Sequence, residues 1–204
     1  MKGKLILVRH AQSVWNKEER LSGNSQIGLT PEGLQQSVDA AEELKEKGIG
    51  YEMAFSSDQK RAMDTMDIMN REMGFSGPKI VTKDLRESEL GLLNGMKISE
   101  IEEKYGKDFV FKLIREFDTK APAKEGEPAP ESLRDMMARV GGFFEASIKP
   151  HIERGRNALV VAHDGTLRAM LSYLGNFDEN QSRITQFDNA KPYVYEFGEE
   201  SDNG

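Results

Sequence analysis

The chain has three histidines, and two of them stand where a histidine can do chemistry. His10 follows the apolar run Leu5-Ile6-Leu7-Val8, and His163 ends the run Ala158-Leu159-Val160-Val161-Ala162. Short continuous apolar runs are the mark of strands buried on both faces. In open α/β sheets ligands bind at the carboxyl ends of such strands. Two imidazoles delivered to one edge can face each other across a cleft, as nucleophile, proton carrier or hydrogen-bond donor to an anion. One strand-end histidine alone would read as an ordinary loop residue, but a pair with Arg9 beside one member favours function. Arg61, in Ser56-Ser57-Asp58-Gln59-Lys60-Arg61, opens a helix that follows a strand. There a guanidinium fork and a helix N-terminus can act on the same anion. By itself Arg61 would read as a solvated helix charge. His151, after Pro150, reads as a surface or C-terminal capping residue.

Elements must carry these groups to one place. Besides the two buried strands, Thr30-Pro31 is an N-cap with proline at the first helical position. Leu34, Val38, Ala41 and Leu44 then recur at helical spacing up to Gly48. Met53–Ser56 reads as a strand, Gln59–Met73 as a helix stopped by Gly74, and Lys79–Thr82 as a short strand. Ser99-Glu100-Ile101-Glu102 reads as a capping box opening a short helix, and a further helix is expected over Asp108–Phe117. The stretch from Ala121 to Pro130 holds three prolines and no periodicity, and is expected to be a loop, a candidate lid. Ser132-Leu133-Arg134-Asp135 opens another helix, in which Gly141-Gly142 would be explained by close packing against a neighbour. A helix over Thr166–Leu174 and strands at Ile184–Phe187 and Tyr193–Phe197 complete the series, with a frayed tail from Glu199. Strands alternating with helices imply a three-layer α/β sandwich with a mostly parallel sheet covered on both faces. One domain over residues 1–204 is expected.

The bulk numbers narrow the partners. Net charge is −7, with 35 acids against 28 bases. Such a field argues against general affinity for nucleic acid or anionic membranes, so an anionic substrate needs a local cationic cluster. Without cysteine there are no disulfides and no thiolate metal sites. The N-terminal apolar run is too short for a signal sequence, and no stretch approaches a membrane span. A cytoplasmic, soluble protein is expected, monomer or homodimer.

The motifs taken together resemble the histidine phosphatase superfamily, the phosphoglycerate-mutase-like enzymes. Leu7-Val8-Arg9-His10-Ala11 resembles the R-H-G signature, with Asn16 and Ser22-Gly23 in the loop after it. Leu29-Thr30-Pro31-Glu32-Gly33 matches L-T-x-x-G, and Ser56-Ser57 with Arg61-Ala62 matches S-S-x-x-R-A. Leu85-Arg86-Glu87, with Gly91 and Gly95, matches the segment holding the catalytic acid. Ala162-His163 with Leu167-Arg168 matches the second histidine motif. The likeness covers nearly the whole chain.

What the resemblance implies is a phosphohistidine mechanism without metal. His10 attacks phosphorus, while Arg9, Arg61 and His163 hold the equatorial oxygens. Glu87 protonates the leaving oxygen, and Glu89, two residues on, competes for that role. Asn16, Ser22, Gly23, Asp164 and Arg115 are the further candidates for holding phosphate or substrate, a small phosphorylated metabolite. Two residues depart from the pattern. Ala11 replaces the usual glycine, which is tolerable at negative φ. Asp164-Gly165 replaces Gly-Asn or Gly-Gly, and a carboxylate there is adverse unless it points away.

Two outcomes compete within the superfamily. Mutases use 2,3-bisphosphoglycerate as cofactor and return the phosphoryl group to substrate, whereas phosphatases pass it to water and need no cofactor. Glu103–Gly106, Arg115–Asp118, Pro150–Ile152 and Tyr193–Glu196 look mutase-like. Against this, Glu116 stands where mutases carry the second of two arginines, Leu90 replaces a tyrosine, Lys97 is displaced by one position, and the proline-rich loop is short. The balance favours net phosphatase activity, with mutase second. A metal-dependent phosphohydrolase built on His163-Asp164 would need more ligands and an all-helical fold. A non-catalytic phosphate-binding protein would more readily have lost one of the reacting groups.

Overall fold

The computed structural model describes residues 2–197. Five strands form one sheet in the order β3-β2-β4-β1-β5: β1 (Lys4–Arg9), β2 (Met53–Ser57), β3 (Lys79–Thr82), β4 (Ala158–Ala162) and β5 (Pro192–Glu196). The first four run parallel, and β5 pairs antiparallel with β1 at an edge. The central strands β1, β2 and β4 are apolar and buried because both faces are covered.

The helices, in chain order, are α1 (Val14–Lys17), α2 (Pro31–Glu46), α3 (Lys60–Met73), α4 (Ile98–Tyr105), α5 (Lys107–Arg115), α6 (Leu133–Phe143), α7 (Lys149–Glu153), α8 (Asp164–Tyr173) and α9 (Glu179–Ile184). On one face Ile6, Val8, Ala54 and Val161 pack on Ala41, Leu44, Met66 and Met69 of α2 and α3. On the other, Leu5, Leu7, Phe55 and Val160 pack on Met136, Val140, Leu167 and Met170 of α6 and α8. The expected three-layer α/β architecture is therefore present. A third cluster, around Leu90, Leu93, Ile101 and Val110, joins α4 and α5 to the loop before them.

Several local expectations hold with mechanism. Thr30 Oγ1 accepts from Gly33 N–H at 3.0 Å and caps α2 behind Pro31. Ser132 and Asp135 form the reciprocal capping box of α6. Gly141 sits against Tyr173 of α8, where an added Cβ would lie 2.4 Å from the ring. That close approach explains the first glycine of the pair, whereas Gly142 faces open space.

Other expectations are corrected. No strand forms over Ile184–Phe187. Asp178 and Gln181 build a capping box that starts α9, and the helix runs to Ile184 before the chain extends past Phe187. The cap of α4 lies two residues earlier than read, because Glu100 Oε2 accepts from the Lys97 N–H at 2.9 Å. The proline-rich stretch is a loop, but it packs on the turn at Gly91–Leu93, where Leu92 N–H donates to Pro122 O. The cavity is roofed instead by α4 and α5. Residues from 199 on lie outside the described part. Among the described residues no helix is long and apolar enough to cross a membrane.

Candidate functional site

The register of two neighbouring strands creates the site. β1 and β4 pair in parallel with Arg9 opposite Ala162, so the next residue of each strand is a histidine. His10 and His163 therefore stand side by side, ring centroids 5.1 Å apart, both nearly fully buried.

The hydrogen bonds select the tautomer of the His10 ring. His10 Nδ1 lies 2.7 Å from the Ala11 carbonyl, which can only accept, so Nδ1 carries the proton. Nε2 then presents a lone pair, which accepts from Arg61 Nε at 3.1 Å. On the other ring, Ser57 Oγ accepts from Gln59 N–H at 3.2 Å and lies 2.7 Å from His163 Nε2. His163 Nδ1 is buried and has no partner in the protein, so when Ser57 donates to Nε2 the ring presents an Nδ1–H toward a bound anion. Burial, followed by the charges of Arg61 and Arg9, pushes the pKa of His10 well below its ordinary value. Burial, then Arg61, His10 and Arg9, do the same to His163. Both rings are thus neutral at neutral pH, the state a nitrogen nucleophile requires.

Arg61 is entirely buried at the start of α3. It donates to His10, to Ser25 O at 2.8 Å and to Gly23 O at 2.9 Å. Burial lowers its pKa to about 10, so it stays charged at neutral pH. Arg9 is anchored by a 2.9 Å bond to Phe187 O, and its buried Nε is unpartnered.

Glu87 lies across the same cavity from these groups. Its backbone N–H donates to Gln59 Oε1 at 2.9 Å, and its carboxylate accepts from Ser88 N–H and from Gly165 N–H at 3.1 Å, on the first turn of α8. A side chain at residue 165 would collide with that carboxylate, its Cβ lying 2.4 Å from Oε1. The competitor Glu89 is buried elsewhere and bonded by Asn24.

Arg9, His10, Asn16, Ser22, Gly23, Arg61, Glu87, Asp164 and Arg115 all line one cavity, and His163 is buried beside His10 without lining it. Asn16 Oδ1 accepts from Ser13, which leaves its NH₂ group as a donor. Ser22 Oγ is buried and unpartnered. Asp164 does not oppose a phosphate with a free charge. One oxygen accepts from Arg168 Nε at 3.1 Å and the other from Phe187 N–H at 2.9 Å. Arg115 donates to Thr185 O at 2.9 Å. Ala11 is free of the positive φ that would have demanded glycine, and its N–H donates to Thr65 Oγ1. His151 is not part of the cavity, and its ring lies 6.2 Å from that of Phe55.

Sequence reasoning missed Gln59. It is wholly buried and joins Gly23 O, at 2.6 Å, to the Glu87 backbone, tying the loop at Ser22-Gly23 to Glu87. Asn189, whose side chain donates to His10 O at 2.7 Å, was missed as well. Neither lies at a position that charge or periodicity marks. Among the described residues no group of three or more His, Asp or Glu side chains is placed to hold a metal ion.

Comparison with known proteins follows the same lines. The profile of the histidine phosphatase superfamily (branch 1) matches residues 5–203. A 2,3-bisphosphoglycerate-dependent phosphoglycerate mutase of Treponema denticola is 32% identical, over 95% of this chain and 87% of its own. The enzyme of the same name from Borreliella burgdorferi is 33% identical over 95% and 86%. Among solved structures, a mycobacterial glucosyl-3-phosphoglycerate phosphatase superposes with a TM-score of 0.75 at 27% identity, covering 94% of this chain and 92% of that one. Bacillus stearothermophilus YhfR shares the fold with a TM-score of 0.80 at 21% identity, over 96% and 92%. With its motifs in order and a match over almost its full length, the chain belongs to the histidine phosphatase superfamily, branch 1, as a phosphatase or phosphoglycerate mutase.

Proposed function

We propose that the protein hydrolyses a small phosphomonoester through a phosphohistidine on His10, with net phosphatase activity outweighing mutase activity. The observation that carries the reading is the tautomer of His10: Nδ1–H is held by Ala11 O, and the Nε2 lone pair faces the Arg61 guanidinium. Arg61 gives up its bond to Nε2 when a phosphate enters, and its charge moves to the phosphoryl oxygens together with Arg9 and His163 Nδ1–H. Nε2 attacks phosphorus, the P–O bond to the leaving group breaks, and Glu87 supplies that oxygen with a proton. The imidazole nitrogen then carries the phosphoryl group, its positive charge eased by the Ala11 carbonyl on Nδ1–H. Glu87, now ionised, takes a proton from water as the water attacks phosphorus. Phosphate leaves, and His10 returns to its neutral form. Asn16, Ser22 and Gly23 complete the phosphate cradle.

The mutase reading keeps support from the 32–33% identity to two named mutases and would need 2,3-bisphosphoglycerate as cofactor. It requires a firm hold on a second anionic group. Leu90 lines the cavity where the resemblance expects tyrosine, Glu116 pairs with Arg183 at 3.8 Å, and Lys97 is exposed and outside the cavity. The test is to supply 3-phosphoglycerate with a trace of 2,3-bisphosphoglycerate and record 2-phosphoglycerate and free phosphate, with His10→Ala as control. Free phosphate in excess is expected. Fast 2-phosphoglycerate with little phosphate would make the protein a mutase, and turnover unaffected by His10→Ala would remove the phosphohistidine.

A further inference from the structure

Above the phosphate cage the cavity opens into a chamber. The whole is about 510 Å³, within the range of sites for drug-sized ligands and larger than a three-carbon acid needs. Its roof is apolar: Leu21, Leu90, Ile98, Leu113 and Ile114 all line it. These five also belong to the third hydrophobic cluster, so the α4–α5 layer turns part of its own core surface toward the ligand.

The charged groups of the chamber cancel. Arg20, Arg115 and Arg168 line it, and so do Glu19, Glu131 and Asp164. Each of the three arginines already has protein acceptors. Arg20 donates to Glu18 and to Gly95 O, Arg115 to Thr185 O, and Arg168 to Asp164 and to Ile114 O, with the buried Nη1 of Arg168 left without a partner. A second anion on the ligand would lie beside Glu19 and would have to share these guanidinium groups with the acceptors already in place, while Asp164 and Glu131 are taken up by Arg168 and Arg139. An uncharged group would meet the roof and shed water from both surfaces.

We infer that the leaving group of the substrate is uncharged and largely apolar, an aliphatic or aromatic alcohol carrying a single phosphate, selected by the α4–α5 roof. This rests on the phosphatase reading above and narrows it. In the reaction the ester oxygen stays with the alcohol, which departs neutral after taking the proton from Glu87. The roof therefore holds a group that carries no charge before or after the step.

The experiment measures kcat/KM for ethyl, butyl and hexyl phosphate, glycerol 3-phosphate and 3-phosphoglycerate, all esters of aliphatic alcohols, with His10→Ala as control. The expected result is a rise of 10-fold or more from ethyl to hexyl phosphate, in line with the gain from burying added methylenes. 3-Phosphoglycerate is expected to fall at least 10-fold below hexyl phosphate. Ile98→Gln and, separately, Leu113→Ala are expected to flatten the chain-length slope. A flat series, or a preference for 3-phosphoglycerate, with hydrolysis still dependent on His10 would overturn this inference and leave the phosphatase reading standing. No His10-dependent hydrolysis of any ester would overturn both.

Discussion

Gly165→Ala separates the acid from the rest of the machinery. The new Cβ would lie 2.4 Å from Glu87 Oε1, where ordinary contact begins at 3.4 Å, so the carboxylate must withdraw by about 1 Å. It would then lose the Gly165 N–H bond that now holds Oε2 at 3.1 Å. The atom displaced is the free end of a side chain, so the fold should survive. Losing one hydrogen bond to a charged group costs about 1.5–3 kcal/mol, and alanine returns about 1 kcal/mol over glycine inside a helix. A net loss of about 0.5–2 kcal/mol would lower Tm by a few degrees. The chemical cost is larger. A 1 Å misplacement of a reacting group is worth about 10²-fold, and a positioned acid about 10²–10⁴-fold. For an alkyl phosphate, whose leaving oxygen needs a proton, kcat/KM should fall about 10²-fold, equivalent to about 2.7 kcal/mol of barrier. For 4-nitrophenyl phosphate, whose leaving group departs as an anion, the fall should be within about 10-fold. The assay is kcat/KM on both esters, because that constant reports formation of the phosphohistidine rather than its hydrolysis. In a Glu87→Gln background the alanine should add almost nothing, since both changes remove the same function. Equal losses on the two esters, or an undiminished rate on the alkyl ester, would refute Glu87 as the acid held by residue 165.

Asp164 is expected to matter through its partners. Its bond to Arg168 is nearly closed to solvent, with side-chain exposures of 18% and 5%. Asp164→Ala leaves a buried guanidinium short of its carboxylate and should cost about 3–5 kcal/mol in urea unfolding, with Asp164→Asn milder because it keeps an acceptor for Phe187 N–H. An exposed-site cost below about 0.5 kcal/mol would contradict the clamp. The histidines set a pH dependence of stability. His10 and His163 have folded pKa values below their unfolded values near 6.5, so the unfolded chain binds more protons as pH falls. Stability should be full above about pH 6.5 and decline below it, by at most about 1.4 kcal/mol per pH unit for each histidine. His151, also lowered by burial and by Arg156 and Arg154, adds a smaller part of the same sign. Urea midpoints at pH 7.5 and pH 5.5 measure this, and His10→Ala should shrink the difference. A midpoint unchanged between the two pH values would contradict neutral buried histidines.

The parts of the site that depend on local sequence were readable, because each has a local cause. Two apolar runs ending in histidine carry the strand, its end and the side chain in one stretch, and the parallel pairing of β1 with β4 then brings the rings together. Thr30-Pro31 and the Ser132–Asp135 box cap helices through groups three residues apart, so no distant partner is needed. Where the cause is distant, reading fails. Ile184–Phe187 looked like a strand by residue type, yet the capping box at Asp178 drives a helix through Ile184, and Phe187 is buried by its place in the core rather than by a ladder. The proline-rich stretch looked like a lid because nothing in its composition says what it packs on. Asp164 is the sharpest case. Its charge next to a phosphate site looked adverse, but Arg168 lies one helical turn further on and Phe187 N–H reaches its other oxygen from a separate loop. The carbonyl of that same Phe187 accepts from Arg9. One residue's backbone thus links the carboxylate after the second histidine to the arginine before the first. A residue read as a departure from the phosphate pattern therefore helps to hold Arg9, the proposed phosphate-binding group, in place, through a contact whose partners lie 23 residues apart in the chain.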